Sequence, residues 1–115
     1  MLLTPDKTDL LAFFQSEPMR ESRVEDGLYI YRMKDQTGIT LFFSFDEIES
    51  SIQVRLKLGE NDIAQVCQEG ATRLTFQNDA FGNYLCCDFD KNAVISNVKI
   101  RVEPHIAVNW STLMN

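Results

Sequence analysis

Long apolar runs are missing from this chain. No stretch approaches the ~20 apolar residues of a membrane-spanning helix. The run Leu10–Phe14 is too short for a signal peptide and has no basic start before it. These absences predict a protein that stays in the cytoplasm where it is made and does not engage a membrane. Cysteine is also sparse. Cys67, Cys86 and Cys87 are odd in number and two are adjacent, whereas a small secreted domain shows an even, well-spaced set. Reduced thiols are therefore expected. His105 is the only histidine, and no CxxC or HxxxH spacing exists, so the local sequence builds no zinc site and implies no cofactor. Basic residues are few: 11 Lys and Arg stand against 17 Asp and Glu, for a formal charge of −6. Such a surface repels phosphate backbones, which argues against nucleic acid as a direct partner, and it attracts basic proteins. No βαβ unit is visible, which excludes doubly wound nucleotide folds. Repeats, low-complexity segments and linkers are absent as well.

What is present is one domain, residues 1–115, organised around ITLFFSFDEIESSIQVRLKL at Ile39–Leu58. Ile39, Leu41, Phe43 and Phe45 alternate, and so do Ile52, Val54, Leu56 and Leu58, with Gln53, Arg55 and Lys57 between them. Successive strand residues point to opposite faces, so both halves read as strands with one buried and one wet side. Before them, Thr4-Pro5-Asp6 reads as a helix start, with Thr4 as cap and Pro5 in the first helical position. Leu10, Leu11, Phe13 and Phe14 give this helix (4–17) an apolar stripe, and Glu17-Pro18 ends it. A helix this short is marginal alone and must pack on the sheet.

Leu28–Met33 has strand character, and Asp35-Gln36-Thr37-Gly38 reads as a hairpin turn. Gly59-Glu60-Asn61-Asp62 turns the chain again. Further strands are expected at Ile63–Gln68, Thr72–Gln77 and Tyr84–Phe89, then over the alternation Val94 to Val102, and last at Ile106, Val108 and Trp110. A longer loop, Asn78–Asn83, and a tight turn, Asp90-Lys91-Asn92, separate them, and Ser111–Asn115 reads as a loose tail. The fold class is mainly β: an antiparallel meander of seven or eight strands over residues 28–110, with one short N-terminal helix, forming a sandwich or partly closed barrel.

The candidate chemistries narrow quickly. A thiol enzyme would pair Cys67, Cys86 or Cys87 with His105, but adjacent strand residues face opposite ways. No helix N-terminus or glycine-rich turn is there to activate a thiol, and buried cysteine is first a small hydrophobe. Asp46, Glu47, Glu49, Glu60 and Asp62 lack the ligand order of a calcium loop. Glu47 and Glu49 are two carboxylates beside Phe45 and Ile48, yet nothing in the sequence supplies a sugar-binding cleft. A sheet lined by Phe43, Phe45, Phe76, Phe89 and Trp110 would enclose a small molecule or lipid only if its barrel were hollow, and in so short a chain those rings fill the interior.

Protein binding has positive support. Acidic residues cluster at Glu25-Asp26, at Asp46-Glu47-Glu49 and at Glu60-Asp62, and these seven are the predicted partner-binding residues. Tyr29, Tyr31 or Phe42 beside them would serve as an exposed aromatic anchor. Homodimerisation through an edge strand is compatible with the same pattern.

The run Gly38-Ile39-Thr40-Leu41-Phe42-Phe43-Ser44-Phe45, with Glu49-Ser50-Ser51-Ile52-Gln53-Val54 after it and Val108-Asn109-Trp110-Ser111 at the close, resembles bacterial toxin-immunity proteins. These are small antitoxins encoded beside contact-dependent inhibition and other polymorphic toxins, and the likeness covers residues 28–111. It implies a non-enzymatic, cytoplasmic protein that binds a cognate toxin domain and occludes it. Many such toxins are basic nucleases, which the charge of −6 would complement. The resemblance transfers no binding residue, so the acidic candidates rest on charge and expected exposure. The alternative is a small-molecule or lipid-binding β-barrel.

Overall fold

The computed structural model describes residues 1–91 and 94–114. A helix, α1 (Lys7–Phe14), and a 3-10 turn at Val24–Asp26 precede eight strands: β1 (Leu28–Lys34), β2 (Ile39–Asp46), β3 (Ser51–Leu58), β4 (Asn61–Glu69), β5 (Ala71–Asp79), β6 (Gly82–Lys91), β7 (Val94–Arg101) and β8 (Ala107–Met114). They form two four-stranded antiparallel sheets, β1-β2-β3-β4 and β5-β6-β7-β8, each a simple meander. Gly70, in the left-handed region at φ 83°, carries the chain from one sheet to the other. The architecture is the sandwich alternative, because the two sheets do not join into a closed barrel.

The period-two reading of the central stretch holds. Leu41, Phe43, Phe45, Ile52 and Val54 are buried, and register pairs such as Phe43–Val54 and Phe45–Ile52 bring them onto one face. The opposing sheet contributes Leu74, Leu85, Cys87, Phe89, Val98 and Ile100. Aromatic rings fill much of the space between: Phe14 stacks on Tyr31 at 4.6 Å between centroids, and Tyr29 on Phe45 at 4.9 Å. Each such side chain contributes about 1.5–3 kcal/mol by leaving water.

The helix lies inside the predicted span but is shorter. Gln15, at φ 58°, ends it well before Pro18. Asp6, rather than Thr4, stands at its N-terminus, and the Thr4 hydroxyl instead donates to Glu47 at 2.9 Å. The apolar stripe packs as expected. Phe14 inserts against Tyr31 and Phe43, and Phe13 meets Phe76 of β5 at 5.1 Å, so α1 plugs the side of the sandwich where β1 and β5 lie.

Several boundaries differ from the sequence reading. The expected loop Asn78–Asn83 is a two-residue turn, because Asp79 pairs with Gly82. The carboxylate of Asp79 accepts the Phe81 amide at 2.8 Å, which closes the turn tightly. The expected loose tail is strand: β8 runs on through Ser111 and Thr112, paired with Asn97 and Ser96. Asp90 and Lys91 continue β6 rather than turning, which leaves Asn92 of that predicted turn outside the described residues.

Candidate acidic interface

The β2–β3 turn assembles the site. One carboxylate oxygen of Asp46 accepts the amides of Ile48 at 3.0 Å and Glu49 at 2.9 Å, which fixes the turn and leaves Glu49 exposed. The Glu47 amide then donates to the Gly27 carbonyl at 2.9 Å, tying this turn to the 3-10 turn that carries Glu25 and Asp26. Gly27 sits at φ 82° with Ile48 Cγ1 3.3 Å from where a Cβ would stand, so the close approach of the two turns needs glycine here.

Five of the seven predicted residues, Glu25, Asp26, Asp46, Glu47 and Glu49, therefore gather at one end of the first sheet. Glu69 joins them, because its register partner is Ser51 at that same end. The sequence reading missed Glu69. Its place beside Gly70 looked like a mere turn flank, and only the β3–β4 register puts it on this edge.

Glu60 and Asp62 are not part of this group. They lie at the far end of the β3–β4 hairpin, where Leu58 pairs with Asn61. Eight residues of strand separate the two ends, a distance of about 25 Å at ~3.3 Å per residue. Asp62 is also engaged: Arg55 holds it through two contacts, at 2.9 and 3.2 Å. That hydrogen bond keeps the Asp62 carboxyl below its ordinary range.

The members of the acidic end have different duties. Glu47 accepts from Thr4 and lies 3.9 Å from Lys7, so it fastens the N-terminal segment to the sheet. Asp46 is occupied with its own turn. Among the described residues Glu25, Asp26, Glu49 and Glu69 enter no ion pair, and they are the carboxylates available to a partner. Beside them the outer face of the sheet is hollowed into an open concavity of about 660 Å³, bordered by Ser44, Asp46, Ser51, Gln53, Cys67 and Glu69.

The aromatic anchors resolve differently. Tyr29 and Tyr31 are core residues, 6% and 1% exposed, because they share the inward face with Phe45 and Phe43. Burial, followed by the neighbouring charges of Tyr29 and Glu17, pushes the Tyr31 hydroxyl up to about 12. Phe42 does face outward, and the guanidinium groups of Arg32 and Arg55 lie 6.0 and 5.7 Å from its ring.

The two buried thiols, Cys86 and Cys87, are not poised for nucleophilic chemistry. Cys87 is in the core and Cys86 lies on the opposite face of β6, as adjacent strand residues must. Burial first, and then the charge of Asp88, pushes the Cys86 thiol up to about 11, and the same causes raise Cys87 further. His105 is exposed in the β7–β8 connection and belongs to neither face of β6.

This fold has a solved counterpart. It is similar to a chain of a contact-dependent growth inhibition toxin–immunity protein complex from Klebsiella pneumoniae 342, with a TM-score of 0.89 and 29% identity over 96% of both chains. The chain resembles a protein of a toxin–immunity pair. The likeness read from residues 28–111 thus extends over nearly the whole length, helix included. A scan against protein-family models and a search of curated proteins give no match.

Proposed function

We propose that this protein is an immunity protein that binds a cognate toxin domain and neutralises it by occlusion, without catalysis. The observation that carries this reading is the full-length likeness to a component of a toxin–immunity complex at 29% identity. The chain's own chemistry favours the immunity role over the toxin role. Its charge is −6, its buried thiols are held protonated, and four of its carboxylates outside any ion pair among the described residues, Glu25, Asp26, Glu49 and Glu69, gather at one end of the first sheet. The partner is a basic toxin domain, with a nuclease as the class whose cationic surface best matches such an edge. Glu25, Asp26, Glu49 and Glu69 are its contact residues, and the reading places the pair in the cytoplasm.

The test uses the C-terminal domain of the large secreted protein expected to be encoded immediately upstream. That domain should bind this protein and lose its toxicity when the two are co-expressed. The triple variant Glu25→Lys, Asp26→Lys and Glu49→Lys should associate about tenfold more slowly at low salt, with a flatter salt dependence. Asp46 and Glu47 are left intact because they hold the turn and the N-terminal segment. Unchanged association kinetics would remove this edge from the interface, and absence of binding by the unaltered protein would overturn the immunity reading itself.

A further inference from the structure

A sandwich of two open sheets has four edge strands, here β1, β4, β5 and β8. Two of these edges are covered. Along β1, the Met19 amide donates to the Ile30 carbonyl at 2.7 Å, the Ser22 hydroxyl oxygen accepts the Ile30 amide at 2.9 Å, and Arg23 bridges to Leu28. Along β5, Leu3 donates to Thr72 at 3.1 Å and accepts from Leu74 at 2.8 Å. Both covers lie on the side that α1 also plugs.

The opposite side is open. β4 is nine residues long and exposed along almost its whole length, and it contains neither lysine nor proline, two residues that commonly blunt such an edge. Among the described residues no backbone hydrogen bond from outside its own sheet reaches it. Its core-facing positions are uncovered too. Val66 shares the inward face with its partner Val54 yet is 37% exposed, and Trp110 on β8 shares the inward face with Val98 yet is 38% exposed. Gln68 of β4 reaches Ser96 of β7 at 3.4 Å, so β4 lies over β7, with β8 and Trp110 alongside. The sheet ends one strand too early to shield Trp110.

We propose that β4 is the docking edge for a strand of the toxin, which extends the first sheet to five strands and closes the sandwich over Val66 and Trp110. This rests on the immunity reading. The incoming strand carries apolar residues at the positions facing Val66 and Trp110, and cationic residues towards its two ends. The charge of the edge sets that chemistry: Glu60 stands at one end and Glu69 at the other, and only Asp62 between them has a cation of its own, Arg55. A second copy of this chain is the wrong occupant, because antiparallel pairing of β4 with itself brings Glu60 of one copy towards Glu69 of the other at both ends. Main-chain pairing provides affinity on such an edge, and the alternate side chains provide selectivity.

The experiment is amide hydrogen exchange by NMR on the isotopically labelled protein, free and with the unlabelled upstream-encoded toxin domain. Every second amide of β4, the outward-pointing set, should exchange rapidly in the free protein and slow by about a hundredfold or more in the complex. A companion variant, Val66→Lys, places an inward charge on an already exposed position. It should keep the wild-type melting temperature while weakening binding at least about tenfold. If the toxin domain binds with β4 amides unchanged, or binds Val66→Lys equally well, the edge inference falls and the immunity reading stands. If β4 amides are already protected in a free dimer, the occupant is a second copy and the inference falls. If the toxin domain does not bind at all, both fall together.

Discussion

Asp35 ties together parts of the chain that are distant in sequence, and removing it should have a cost that can be worked out in advance. One of its oxygens accepts the Thr37 amide at 2.9 Å, the Thr37 hydroxyl at 2.7 Å and the Ile39 amide at 3.0 Å, closing the β1–β2 turn. The other accepts the Ile106 amide at 2.7 Å, 71 residues away. It therefore pins the loop before β8, in the second sheet, to a hairpin of the first. In Asp35→Ala the three turn donors are free to find water and lose a few tenths of a kcal/mol each. The amide of Ile106, a buried residue, is left without its charged acceptor, which brings the total to about 2 kcal/mol. At about 2.1 cal/mol/K of unfolding entropy per residue over 115 residues, that is a fall in melting temperature of about 8 °C.

The effect should also depend on pH, with a definite sign. Partial burial raises the Asp35 carboxyl, but hydrogen bonds from Ile106, Thr37 and Ile39 outweigh it and hold the group below the ordinary carboxylate range. Its stabilisation is therefore complete above that range and is lost as pH falls through the lowered folded-state value. Thermal melts followed by circular dichroism should show the gap between wild type and Asp35→Ala widest at neutral pH and shrinking towards about pH 3. A gap below about 2 °C at neutral pH, or one that stays constant on acidification, would refute the assigned role.

Two further outcomes test the packing and the thiols. Phe14→Ala removes the ring wedged against Tyr31 and Phe43 and should destabilise the fold by about 3–5 kcal/mol in denaturant titrations; a loss under about 1 kcal/mol would mean that α1 is not an integral part of the core. Alkylation with iodoacetamide at mildly alkaline pH, read by intact mass, should label Cys67 alone, because Cys67 is exposed while Cys86 and Cys87 are buried and burial holds their thiols protonated. Rapid labelling of Cys86 in the folded protein would contradict that protection and reopen thiol chemistry on the outer face of β6.

Taken alone, the sequence determined the strand content and the inward face of each central strand. Alternation is a local property, and burial of one face is how a sheet leaves water. The same rule carried Leu41, Phe43, Phe45, Ile52 and Val54 into the core and set Cys86 and Cys87 on opposite faces. The tertiary structure decided which distant segments meet. Nothing local marks Thr4 as a partner of Glu47, Asp35 as a partner of Ile106, or Tyr29 and Tyr31 as buried rather than displayed, because each depends on what the opposing layer and the helix place above it. The acidic candidates show the same division. Charge could be counted along the chain, but the hydrogen bond from the Glu47 amide to Gly27 brought Glu25 and Asp26 to the Asp46–Glu49 turn, and the β3–β4 register added Glu69 and sent Glu60 and Asp62 to the far end. Strand edges, too, exist only once sheets have formed. That is why the uncovered backbone of β4, with Trp110 unshielded beside it, became visible only in the assembled sandwich.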